Sequence, residues 1–153
     1  MKKFAIVLVV VLLCCAALSL AACGDKELKD GQIRITIGSK SFIAELDDTT
    51  AAKQLEKELP LTVEMTAVNG QYLHANVNRT FSEQAEPSGI LNAGDIMLQG
   101  NNTLMLYYAF NNYNDSLTRI GKIREQDRTS FAEAVKQAVQ NSDKKAVTVK
   151  ISK

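Results

Sequence analysis

The chain is poor in the residues that most often carry chemistry. It has one histidine, His74, and three cysteines, Cys14, Cys15 and Cys23, none of them beyond position 23. A lone histidine with no cysteine nearby argues against a zinc site, and no spacing supports a Ser-His-Asp arrangement. Gly38-Ser39-Lys40 and Gly100-Asn101-Asn102 neither open a helix nor fit a phosphate loop, so both read as turns. Glu45, Asp47, Asp48 and Asp95 lack the Asp-x-Asp-x-Asp-Gly spacing of a calcium loop. No catalytic residue, metal ligand or cofactor is assigned on these grounds. An excess of one charge is missing too, with 18 basic against 17 acidic residues. Lys144-Lys145 is too short a basic run to neutralise a phosphate backbone, which excludes nucleic acid as a partner.

What the chain does have begins at its N-terminus. Met1-Lys2-Lys3 is a positive tip, and Phe4 to Leu20 is an uncharged apolar or small-residue run, the layout of a secretory signal. At about 17 residues the run sits at the lower edge of what spans a bilayer, so a transmembrane helix is the alternative. "LAAC", Leu20 to Cys23, followed by Gly24 and Asp25, resembles a bacterial lipobox. That resemblance implies diacylglycerol on the Cys23 thiol, cleavage just before it, and fatty-acyl chains such as palmitate holding the protein on the extracytoplasmic face of a cell membrane. Each buried methylene adds about 0.8 kcal/mol, and two or three chains make a stable tether where one does not. Cys14 and Cys15 leave with the signal, and lipid occupies the remaining thiol, so no disulfide is expected in the mature protein.

The expected organisation is a signal peptide over 1–22, a lipid-anchored, polar and flexible spacer over 23–32, and one domain over 33–153. Cleavage leaves 131 of the 153 residues, enough for one domain with a real core. Residues 33–37 and 42–46 alternate apolar and polar around a Gly-bearing turn, predicting a hairpin. Asp47, Asp48 and Thr49 offer N-cap oxygens to a helix carrying Ala51, Ala52, Leu55 and Leu59 on one face, ended by Pro60. Residues 61–68 alternate and close at Asn69-Gly70. From 71 to 92 the pattern weakens, which predicts a long surface loop with at most a short edge strand. Residues 94–100 and 103–110 are nearly continuous apolar runs, read as paired strands buried on both faces. A strand over 117–123, a helix opened by a Ser130/Glu133 capping box, and a last strand over 146–151 complete the chain. The predicted class is mainly β (α+β): the strands do not alternate with helices, which favours an antiparallel sheet or closed barrel.

"ELPLTVEMT", "AGDIMLQGNNTLMLYYAF" and "TRIGKI" together resemble the small bacterial cyclophilin-like domains found alone, as lipoproteins, or in flavodoxin-containing chains. The resemblance covers about residues 32–152. It implies a closed eight-stranded barrel with two helices, the architecture of peptidyl-prolyl isomerases, and a flavodoxin-like protein as one partner to consider. Those isomerases use an arginine, a phenylalanine five residues on, and a glutamine three further. Here Arg79 is followed by Phe81 at two and Gln84 at five, and neither Arg34 nor Arg119 has a phenylalanine at the required offset. Isomerase activity therefore rests on fold analogy alone.

Tyr107, Tyr108, Phe110 and Tyr113 bunch in one strand and its loop, and Arg119 follows on the next strand. Aromatics with an arginine suit a pocket for a peptide or planar ligand. Alternation sends Tyr107 and Tyr108 to opposite faces, one to the core and one to the surface or a groove. The candidate ligand-binding set is Tyr72, His74, Tyr107, Phe110, Tyr113 and Arg119. The expected function is a lipid-anchored binding module that engages a peptide, protein or small molecule near Tyr107, Phe110, Arg119 and the 71–92 loop. The alternative is a divergent prolyl isomerase.

Overall fold

The computed structural model describes residues 26–153. The predicted signal over 1–22 and the Cys23 lipidation site lie outside those residues. Nine strands and two helices follow in chain order: β1 (Gln32–Ile37), β2 (Lys40–Leu46), α1 (Thr50–Lys57), β3 (Leu61–Val68), β4 (Tyr72–Asn76), β5 (Glu86–Pro87), β6 (Asp95–Gln99), β7 (Thr103–Tyr107), β8 (Ser116–Ile123), α2 (Arg128–Gln140) and β9 (Ala146–Ser152). The sheet runs β2-β1-β9-β3-β4-β7-β6-β8, every pair antiparallel, and a β2–β8 pairing closes it into an eight-stranded barrel, with β5 added outside the ring. Closure leaves the ring without an unpaired edge.

The closing seam explains Gly121. Leu46 pairs with Gly121, and a Cβ there would run into the Glu45 carbonyl oxygen and lie 3.0 Å from Leu46 Cα. Only glycine admits β2 this close. The β6–β8 register also slips between Ile96 and Met97, opposite Gly121 and Arg119, a bulge that helps bend the sheet shut.

The interior is filled by side chains. Ile33, Ile35, Leu55, Met65, Leu73, Leu98, Leu104, Phe131 and Val149 are almost wholly excluded from solvent. Eight strands enclose only enough space for such a core. Ala51, Ala52 and Leu55 of α1, and Phe131, Ala134 and Val135 of α2, join the same cluster. Phe131 meets Phe42 of β2 edge to face, with centroids 5.5 Å apart. Lys26–Gly31, the described part of the predicted spacer, is held to the barrel: Arg34 Nη2 donates to the Lys26 carbonyl at 2.8 Å and Leu46 N–H to the Gly31 carbonyl at 2.8 Å.

Three local expectations are corrected. The stretch predicted as a surface loop from 71 contains β4, a full barrel strand between β3 and β7. Thr49 alone caps α1, its Oγ1 accepting from Ala52 N–H at 3.2 Å. Asp47 and Asp48 instead meet the cations Arg119 and Lys53. Ser130 lies inside α2 and not at its cap, because a 3-10 turn over Glu125–Asp127 starts the helix two residues earlier.

Candidate functional site

β6 and β7 are buried on both faces, as their unbroken apolar runs predict. Ile96, Leu98, Leu104 and Leu106 point into the barrel. Met97, Met105 and Tyr107 point outward and pack with Leu91 and Leu117 into a second buried cluster, with Tyr72 against its side. Two crossing segments cover that outer face. Glu86 and Pro87 pair with Leu117 and Ser116, and Ser88 N–H donates to the Asp115 carbonyl at 2.7 Å. Gly89 N–H donates to Asn114 Oδ1 at 2.9 Å, and Leu91 and Asn111 exchange backbone hydrogen bonds of 2.9 Å each. Gly94 N–H donating to the Tyr107 carbonyl at 2.8 Å returns the first segment to the sheet. The result is a two-stranded ribbon, 86–92 against 109–117, lying across β6 and β7. Its inner contacts are Leu91 and Leu117.

The ribbon also carries the exposed large apolar side chains of the described residues: Ile90 (64% exposed), Phe110 (57%) and Tyr113 (63%). These two residues of the predicted site, Phe110 and Tyr113, therefore stand at the surface. Gln71 Nε2 donates to the Phe110 carbonyl at 3.3 Å, and Tyr113 N–H donates to Asn111 Oδ1 at 2.8 Å, so the aromatics sit on an anchored backbone.

The other predicted residues share the outer face beneath or beside the ribbon. Strand register places His74 opposite Met105, Met105 opposite Met97, and Met97 opposite Arg119, one row across four strands. Tyr72 pairs with Tyr107 in the next row. The Tyr72 ring lies 5.1 Å from that of Tyr107 and 6.3 Å, edge on, from His74. Tyr72, His74 and Tyr107 are thus together, while Arg119 is at the far end of the row. Alternation correctly separates Tyr107 from Tyr108, yet both are buried: Tyr108 belongs to the barrel core and Tyr107 lies under the ribbon.

Tyr107 is unusual in a second way. Its hydroxyl is the one buried side-chain polar atom among the described residues without a hydrogen-bond partner. Burial pushes its pKa up to about 12, with Tyr72, Asp115 and Asp95 adding to the rise. Burial alone also raises that of Tyr108.

Arg119 lies on a cleft of about 180 Å³ at the ribbon's side, lined also by Asp48, Thr49, Gln84, Glu86, Pro87, Ser88 and Leu117. Its Nε donates to Asp47 Oδ2 at 3.2 Å, and its carbonyl accepts from Thr49 Oγ1 at 2.8 Å. Gln84 is fixed by its own N–H donating to the buried Thr118 Oγ1 at 2.8 Å, while its Oε1 accepts from Thr50 N–H at 3.1 Å. Sequence reasoning names the 71–92 loop as part of the site without singling out its Gln84 or Ile90, and it misses Leu117 and the ribbon pairing itself. The one available signal was the Asn/Ser/Gly-rich composition of both segments, which marks turns and says nothing about pairing.

A closed antiparallel eight-stranded barrel, two helices packed on its core and a ribbon over its outer face define a cyclophilin-like domain. The model of the cyclophilin-like family matches residues 35–152, and the chain belongs to that family. Among solved structures, McbB in complex with tryptophan is similar with a TM-score of 0.57 and 15% identity, over 80% of this chain and 44% of that one. The solution structure of the hypothetical protein AF2241 from Archaeoglobus fulgidus is similar with a TM-score of 0.55 and 11% identity, over 84% of this chain and 98% of that one. At such identities the likeness is one of fold, and this chain spans less than half of McbB. The comparison with curated proteins finds no match.

Proposed function

We propose that this protein is a lipid-anchored, extracytoplasmic binding module that engages a peptide, protein or small ligand through the ribbon and its flanking cleft. The observation that carries the binding half is the gathering of Ile90, Phe110 and Tyr113 on one hydrogen-bonded ribbon. Large apolar groups exposed together on one short element of an otherwise well-packed domain support reading that element as an interaction surface. The anchoring half rests on "LAAC" at Leu20 to Cys23.

Each half has its own test. Cys23→Ser should release the protein from membranes or leave it unprocessed at higher mass; fractionation and mass equal to wild type would overturn the anchor. A photo-crosslinking residue at Phe110, activated in intact cells, should give a discrete adduct that a crosslinker at the exposed Thr148 of β9 does not. Identical adduct patterns at the two positions would overturn the ribbon as the binding element.

A second reading, a divergent prolyl isomerase, is favoured by one observation: Gln84 and Arg119, far apart in sequence, line the same cleft beside Leu117 and Pro87. Acceleration of prolyl-peptide isomerisation that is lost in Arg119→Gln would establish it. No acceleration by the wild-type protein would leave the binding module alone.

A further inference from the structure

The charge along the stretch of chain that forms the ribbon is one-sided. Between Arg79 and Arg119 the chain has no lysine, arginine or histidine, but it has Glu83, Glu86, Asp95 and Asp115. Asp95 is buried and accepts from Asn92 N–H at 2.7 Å, whereas Glu83, Glu86 and Asp115 are exposed. The two bounding cations are occupied: Arg79 Nε contacts Glu58 Oε2 at 2.7 Å and Arg119 Nε contacts Asp47 Oδ2 at 3.2 Å. Over the whole chain acidic and basic residues nearly balance, so the negative charge of this region reflects segregation.

We propose that the ribbon is a docking surface for a segment of another protein that combines apolar side chains with lysine or arginine. This deepens, and rests on, the binding reading above. Ile90, Phe110 and Tyr113 supply apolar and aromatic area, and the exposed Glu86 and Asp115 belong to the same ribbon as counter-charges. Asn112 and Asn114, exposed in the same segment as Phe110 and Tyr113, add amide groups, which suits a polypeptide partner. A second copy of the chain is disfavoured because it would bring the same acidic surface against this one. An anionic bilayer is disfavoured for the same reason, since apolar groups that seat on such a surface are ordinarily flanked by lysine and arginine.

The test uses the full chain in phosphatidylcholine nanodiscs, with empty nanodiscs as the reference. The probes are short fluorescent peptides alternating leucine with lysine, leucine with glutamate, and serine with lysine, read by anisotropy. The leucine–lysine peptide should bind at least about tenfold more tightly than either of the others, and about 0.5 M salt should weaken it. Phe110→Ser with Tyr113→Ser should cost about tenfold or more, and Glu86→Gln with Asp115→Asn should cost several-fold and flatten the salt dependence. All four positions are exposed, and an unchanged circular dichroism spectrum and melting curve would confirm that the variants fold. Equal binding of the lysine and glutamate peptides, lost in the Phe110/Tyr113 variant, would overturn the charge inference and keep the ribbon as a binding element. Phe110-dependent binding to phosphatidylglycerol vesicles without peptide binding would overturn it in favour of a membrane. No peptide binding, joined to identical crosslinking at Phe110 and Thr148, would overturn both readings.

Discussion

Removing the Tyr107 hydroxyl should not weaken this protein. Tyr107 is fully excluded from solvent, and its oxygen has no partner. Leaving a buried polar group unpaired costs about 1–3 kcal/mol, while Tyr107→Phe leaves only an oxygen-sized gap, worth about 1 kcal/mol or less in lost contacts. At pH 7 the variant should therefore match the wild type or exceed it by about 1 kcal/mol. The difference should grow in alkali. The hydroxyl's pKa rises from 10.0 to about 12 on folding, so the folded chain holds a proton that the unfolded chain releases above pH 10. A raised folded-state value gives stability that is intact below the unfolded value and lost as pH climbs through the window between the two. By pH 11 the wild type should lose about 1.4 kcal/mol relative to Tyr107→Phe. Other tyrosines, Tyr108 included, titrate in both proteins and cancel in the difference. Urea unfolding of both chains at pH 7, 9, 10 and 11 measures it. A variant more than about 1 kcal/mol less stable at pH 7, or a difference that stays flat to pH 11, would refute the orphaned hydroxyl.

Gly121→Ala should destabilise by about 2 kcal/mol or more, since its Cβ meets backbone at the β2–β8 seam and not a side chain that can move aside; a urea midpoint equal to wild type would show that the seam yields. Thr49→Ala should lose about 1–2 kcal/mol, the cap on Ala52 N–H and the bond to the Arg119 carbonyl going together, and Thr49→Ser should keep most of it.

The readable parts of the fold were those whose pattern is local. β1, β2 and β3 alternate cleanly, and β6 and β7 announce burial on both faces by their length of apolar sequence. β4 was hidden because its outward residues are Tyr72 and His74, half-buried by an aromatic contact, and its end is polar Asn76. Period-two alternation was present in Leu73 and Ala75, but what makes this a strand is pairing with β3 on one side and β7 on the other. Two carboxylates ahead of α1 looked like caps because Asp is a good one. Long-range attraction to Arg119, on a strand some 70 residues later, competes with capping and has no trace in the local sequence. The candidate site was legible as a set of residue types. Its geometry was not, because the ribbon joins segments about 25 residues apart through backbone bonds and the side chain of the exposed Asn114.

That ribbon resolves where a barrel of this size can bind anything. Side chains from the eight ring strands and both helices occupy the interior among the described residues, which is why the proposed binding is placed on the outside. Most of the outer wall alternates polar residues with core residues. Over β6 and β7 the outward face buries Met97, Met105 and Tyr107, and this lets a short ribbon be pinned across it. The pinning matters energetically. Phe110 and Tyr113 stand on backbone already ordered by the Gln71 amide donating to the Phe110 carbonyl and by Tyr113 N–H donating to Asn111 Oδ1, so the proposed docking would not carry the entropy cost of ordering a free loop. The exposed aromatics also escape the usual hazard of such groups, because the unbalanced carboxylates around them set one copy's ribbon against another's. On the docking reading proposed above, the ribbon is then an apolar surface that repels its own copy and is pre-ordered for a cationic partner.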